Sequence, residues 1–141
     1  MFKIKEINKI ERIHNFEDNS IETAAQMIDR VYAVNSHARF WILAHGLEIN
    51  INKGDNAKEI IANLVNSKSQ VLPNGIQIRI LNQSEVIITA PKSLGKAVEE
   101  ALFYGCAFAE TKKQWQPTHY NFFCHIPNKS KSEIKGMLEA L

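Results

Sequence analysis

The stretch Leu47-Glu48-Ile49-Asn50-Ile51-Asn52 decides the fold reading. Apolar and polar residues alternate in it with a period of two, the pattern of a strand that buries one face. A second stretch near the other end of the chain has the same form: Tyr120, Phe122, Cys124 and Ile126 alternate with His119, Asn121, Phe123 and His125. Pro127 ends it, because proline has no N–H to give to a ladder.

Between these two strands the punctuation is regular. Lys53-Gly54 turns the chain, Asp55 offers a side-chain cap, and Ile60, Ile61, Leu64 and Val65 form the apolar stripe of a helix. Pro73-Asn74-Gly75 marks a loop. Ile76, Ile78 and Ile80 then alternate with Gln77 and Arg79, and the β-branched run 86–89 follows a polar turn, so these two segments read as a hairpin. Pro91 stops the second strand, and Ser93 can cap a long helix through Ala97, Val98, Ala101, Leu102 and Cys106. Ser130 with Glu133 forms a capping box for a last helix bearing Ile134, Met137, Leu138 and Leu141.

From Leu47 onward the succession is therefore strand, helix, strand, strand, helix, strand, helix. Its first six elements match the split βαββαβ order of ferredoxin-like folds. The expected fold is α+β: an antiparallel sheet with helices on one face, strands 47–52 and 119–126 side by side at its centre, and a C-terminal helix. Upstream, residues 2–7 suit an edge strand or an irregular arm. Asn19 with Glu22 suggests a capping box for a helix carrying Ala24, Met27, Ile28, Val31 and Val34, and residues 38–44 read as a second helix ended by Gly46. The expected organisation is a single domain, 1–141, with an N-terminal helical extension over 1–46 and the βαββαβα unit over 47–141.

Composition bounds the function. The 141 residues are 45% hydrophobic and 23% charged, enough for one real core, and a net charge of +2 does not by itself call for a polyanionic partner. Cys106 and Cys124 are too few for a disulfide framework and read as thiols in a reducing compartment. Charges at Lys3, Lys5, Glu6, Lys9, Glu11 and Arg12 break any apolar core of a signal peptide, and no apolar stretch nears the roughly 20 residues of a membrane span. The expectation is a cytoplasmic protein without a membrane partner. No metal-ligand spacing, phosphate loop or cofactor motif is present, so neither a metal nor a cofactor is expected.

The site expectation follows from the sheet. If Tyr120, Phe122, Cys124 and Ile126 face the helices, His119 and His125 point outward beside Glu48 and Asn50 of the neighbouring strand, with Arg79 on the same face. Glu48, Asn50, Arg79, His119 and His125 are thus the candidate ligand-binding residues, since a carboxylate beside an imidazole can hold it for acid–base work. The two histidines, six residues apart, lie about 20 Å apart on a strand and cannot share one ion. Cys124 and His125 point to opposite faces, which rules out a thiolate–imidazolium pair. Phe40-Trp41-Ile42-Leu43, read as helical, is apolar all round, so Phe40 and Trp41, together with Phe123, are candidate interface residues; the competing reading puts Phe40, Ile42 and Leu43 in the core with Trp41 at its rim. Lys112, Lys113, Trp115, His119, Lys129, Lys131 and Lys135 suggest a modest single-strand nucleic-acid surface. His37 with Arg39 two residues later resembles the phosphorylated-histidine segment of the sugar-transport phosphocarrier proteins. Phe40 stands where that family has proline, and His37 precedes the βαββαβ unit, so the resemblance implies no fold or activity.

The reading that gathers these points is a small homodimeric binding or regulatory module that meets a protein or small-molecule partner through its open sheet face. The alternatives are a small enzyme working an anionic substrate in the His/Glu/Arg groove, and a weak nucleic-acid binder.

Overall fold

A computed structural model describes residues 1–105, 110–115, 118–126 and 131–141, with backbone alone for 104, 105 and 110–115. The chain divides into two compact units, Met1–Asn66 and Ser67–Leu141. Both are mixed α and β with antiparallel sheets.

The first unit runs β1 (Phe2–Asn8), β2 (Ile10–Phe16), α1 (Ile21–Val34), β3 (Arg39–Ala44), β4 (Leu47–Ile51) and α2 (Ala57–Val65), with sheet order β2-β1-β3-β4. Residues 2–7 form a regular strand and sit at the centre of the sheet. Phe2, Ile4, Phe40, Ile42, Ala44, Leu47 and Ile51 are buried, as are Ala24, Ala25, Ile28 and Tyr32 of α1 and Ala57, Ile61 and Leu64 of α2. Burying each large side chain of this set contributes on the order of 2 kcal/mol.

Residues 38–44, expected to be helical, are the strand β3. Phe40, Ile42 and Ala44 turn inward while Trp41 and Leu43 stay half-buried on the opposite face. Two half-apolar faces in alternation mimic a helix that is apolar all round, and the short run left the two periods indistinguishable. The turn to β4 is His45-Gly46, with φ of 55° and 75°, joining the paired residues Ala44 and Leu47. Positive φ at both positions is the primed two-residue turn whose twist matches a hairpin. The capping expectations shift by one residue at both helices of this unit, and Ser93, expected to cap the long helix downstream, lies within its first turn (helix Lys92–Gly105). α1 begins after Ser20, without a side-chain cap bond. In α2 Asn56, not Asp55, accepts from Glu59 N at 3.1 Å, while Asp55 Oδ2 accepts from Asn52 N at 2.8 Å.

The second unit runs β5 (Lys68–Val71), β6 (Gln77–Ile80), β7 (Glu85–Pro91), α3 (Lys92–Gly105), β8 (Glu110–Trp115), β9 (His119–His125) and α4 (Lys131–Glu139). Its sheet order is β5-β6-β7-β9-β8 among the described residues. The hairpin of residues 76–89 is present as β6 and β7. Ile78, Val86, Ile88, Phe122, Cys124 and Ile126 pack with Val98 and Leu102 of α3 and Ile134 and Leu138 of α4. Asn74 fastens the 73–75 turn to α4: its Oδ1 accepts from Ile76 N at 3.2 Å and its Nδ2 donates to the Leu138 carbonyl at 2.9 Å. Cys106 and the Ser130 cap fall outside the described residues.

The βαββαβ succession is not closed into one sheet. β4 pairs with β3, and β9 lies between β7 and β8, so the strands expected to adjoin belong to different sheets. A two-residue turn gives β4 a partner at almost no loop-closure cost, and sequential strands usually pair for that reason. Both units repeat the order ββαββα, the second after a leading β5, but the central strands differ: first and third in one, second and fourth in the other.

Candidate functional site

In the first unit the face of the sheet away from α1 and α2 is built by alternation. β1 and β3, the central strands, place Lys3, Lys5, Ile7, Arg39, Trp41 and Leu43 there, since their in-between residues fill the core. The edge strands add Glu11, Ile13 and Asn15 from β2 and Glu48 and Asn50 from β4. Trp41 lies across from Lys5 on β1 and from Asn50 on β4. The Lys5 ammonium is 5.3 Å from the centre of the indole and the Arg39 guanidinium 5.6 Å, so two cations flank one π-face donor. Lys5 also reaches Glu11 at 3.5 Å. Asn50 Nδ2 donates to the Phe40 carbonyl at 2.9 Å, and Glu48 stays exposed. Ile13 is 46% exposed and lies opposite Lys5, on the far side of that lysine from Trp41.

The other face of this sheet holds a polar line that sequence reasoning missed. Glu6 is buried at 6% exposure, and its Oε1 meets His14 Nε2 at 2.7 Å across the β1–β2 pair. Asn8 Nδ2 approaches Glu6 Oε2 at 3.4 Å, and Asn8 Oδ1 accepts from Asn35 Nδ2 at 2.7 Å. Asn35 Oδ1 in turn accepts from His37 N at 3.0 Å, which fixes the loop carrying the exposed His37. The histidine–glutamate relationship expected between His119 and Glu48 is thus present between His14 and Glu6. A detectable signal existed: residues 2–8 and 10–16 alternate on both sides of Lys9, whose φ of 68° marks the turn.

The five expected site residues divide between the sheets. Glu48 and Asn50 share the Trp41 face of the first. Arg79, His119 and His125 lie on the second, so the groove postulated from adjacent strands is not assembled by strand pairing. Arg79 is also not an open-face cation. It is 8% exposed, its Nη1 donates to Ser67 Oγ at 3.0 Å, and burial pulls the guanidinium below its ordinary pKa. His119 and His125 are half-buried, with His119 Nδ1 2.7 Å from Thr118 Oγ1. Between them Asn121 is 1% exposed: its Oδ1 accepts from Thr89 Oγ1 at 2.7 Å, while its Nδ2 has no partner among the described residues.

Of the interface candidates, Phe40 is a core residue with no exposed surface, edge-on to Tyr32 at 5.2 Å. Trp41 and Phe123 are half-buried. For the nucleic-acid surface, Lys112, Lys113 and Trp115 belong to β8, whose backbone alone is described, and Lys129 lies outside the described residues. Cys124 is buried in the core of the second unit. Among the described residues no group of three or more His, Cys, Asp or Glu is arranged to hold a metal, and no helix is long and apolar enough to cross a membrane.

No family model, no curated protein and no solved structure matches this chain.

Proposed function

We propose that the chain is a cytoplasmic binding module that pairs with a second copy through the Trp41 face of its first sheet. The observation that supports this reading is the cation-flanked indole on the face away from α1 and α2, with Ile7, Ile13 and Leu43 on the same face. Tryptophan and arginine are the residues most enriched at the energetic centre of protein interfaces, where an apolar middle and a charged rim are the rule. Charge favours a second copy as the partner. Lys3, Lys5 and Arg39 sit on the central strands, and Glu11 and Glu48 on the edge strands. A two-fold contact displaced by one strand spacing from the sheet centre would set the cations of one copy against the edge carboxylates of the other, and such interfaces are isologous. The buried thiol of Cys124 suits a reducing compartment.

Native mass spectrometry and sedimentation across a wide protein concentration test the reading. A dimer is expected, with Trp41→Ala weakening it by about thirty-fold or more, the loss typical of an anchor residue. Arg39→Glu alone should dissociate the dimer. A monomer at every concentration, or a dimer indifferent to Trp41→Ala, removes the proposal. An enzyme working through the His14–Glu6 pair, in place of the His119–Glu48 groove expected from the sequence, would show instead as turnover lost on replacing His14 or Glu6 with the fold retained.

A further inference from the structure

The second unit carries a groove of about 300 Å³ between the β5–β6 edge of its sheet and α4. Its floor is Ile78 and Ile80, and its walls include Lys68 from β5 with Lys131, Ser132 and Lys135 from α4. We propose that this groove is a binding site for a small organic phosphate, with the phosphate among the lysines and the apolar part of the ligand on the isoleucines.

Three features carry the assignment. The first is register. Lys68 pairs with Ile80 and Gln70 with Ile78, so both β5 side chains project on the same side as the isoleucines, toward α4. Lys131 and Lys135 are one turn apart on α4 and share a helix face. Cations from two separate elements therefore converge on one hollow, and no carboxylate is among its lining residues.

The second is chemistry. The cations are all lysines. Lysine binds phosphate as a compact point charge, and a phosphate monoester, which carries more charge than a carboxylate and acceptors on every side, gains more from several converging ammonium groups. Lys131 and Ser132 stand in the first turn of α4, where the helix dipole adds partial positive charge. The size matches the smaller ligand pockets, and an apolar floor with a few convergent polar groups is their usual make-up.

The third is that the present partners of these lysines are exchangeable. Lys131 Nζ donates to the Gln83 carbonyl at 3.3 Å, and Lys135 faces Glu139 at 3.7 Å with both side chains about two-fifths exposed. Exposed ties of this kind hold weakly and yield to a better anion. The site lies wholly in the second unit and does not depend on the Trp41 reading.

The test uses the full chain, titrated with phenyl phosphate, inorganic phosphate and benzoate at low salt, followed by amide chemical shifts and calorimetry. Saturable binding is expected, with shifts centred on residues 68–70, 78–80 and 131–135, an affinity that falls with added salt, and an order of phenyl phosphate first, then inorganic phosphate. Lys68→Gln and Lys135→Gln should each weaken binding about three- to five-fold, the size of one exposed charge contact, while Lys58→Gln, on the exposed surface of α2, changes nothing. The pair K68Q/K135Q avoids the helix start, and its circular dichroism reports that the fold is kept. Shifts scattered over all lysines, non-saturable titration, benzoate binding as tightly as phenyl phosphate, or undiminished affinity in K68Q/K135Q would each overturn the proposal.

Discussion

Glu6 Oε1 lies 2.7 Å from His14 Nε2, joining the two strands of the first hairpin on the face that also builds the core. The carboxylate is almost out of water, whereas the imidazole keeps about a quarter of its exposure. The carboxylate is also approached by Asn8, so its loss leaves polar groups short of an acceptor in a shielded place. Glu6→Ala is expected to cost about 1–3 kcal/mol, the penalty for orphaning buried polar partners. In a double-mutant cycle with His14→Ala measured by urea unfolding, the coupling should be about 1 kcal/mol. Independent effects would mean that the contact contributes nothing.

Tyr32 predicts a dependence on alkaline pH. Burial raises its phenol above the ordinary value near 10, the Asp55 charge acts in the same direction, and the Phe40 backbone opposes them. The folded state therefore holds this proton more tightly than the unfolded chain. That contribution is complete below about pH 10 and is lost as pH rises through the folded-state value. The hydroxyl also donates to the Ile51 carbonyl. Tyr32→Phe should lower stability at neutral pH by about 1–2 kcal/mol through the lost donor, and should flatten the decline in stability above about pH 10. An unchanged alkaline slope in the variant would exclude Tyr32 as its source.

Gly95 of α3 packs against the ring of Tyr120 on β9 so closely that an added Cβ would overlap its Cδ2 and Cε2 atoms. Gly95→Ala improves helix propensity, yet it is expected to destabilise the chain by about 1–3 kcal/mol because the overlap outweighs the gain. Combining it with Tyr120→Leu should recover part of the loss. Thermal unfolding of the three variants distinguishes this from simple propensity, which would make Gly95→Ala stabilising.

Thr89 and Asn121 face each other on β7 and β9, with Asn121 Nδ2 unpaired among the described residues. Asn121→Leu alone strands the Thr89 hydroxyl and should cost about 1–3 kcal/mol. Thr89→Val with Asn121→Leu removes both polar partners together and should come close to the parent, since no hydroxyl is then left without its acceptor. A double variant less stable than Asn121→Leu would refute that.

Much of this architecture was legible, and the failures have local causes. The strands at 47–51 and 119–125 and the 77–80/85–91 hairpin follow from strict alternation. β3 was misread because Trp41 and Leu43 put apolar side chains on its second face. β5 was missed because all four of its residues are exposed, leaving nothing to alternate. Strand partnership was the deeper gap. Alternation reports that Leu47, Ile49 and Ile51 share a face but says nothing about which strand lies beside them, and the short His45-Gly46 turn was the overlooked cue. For the same reason alternation puts Glu48 and Asn50 on one face of their strand without saying that Leu43 and Trp41 lie beside them, while Glu6–His14 depended on a hairpin that charged residues obscured.

The central position of β1 makes the first few residues structurally expensive to lose. β1 is the only link between β2 and β3 in its sheet, pairing with one on each side. Proteolytic trimming of residues 2–8 would not shave an edge. It would strand β2 and bare the backbone of β3, a strand whose Phe40 and Ile42 are otherwise wholly sheltered. Two raw strand edges beside uncovered aromatic surface are a template for fibrillar stacking, so loss of β1 is a point from which misassembly of this protein would begin.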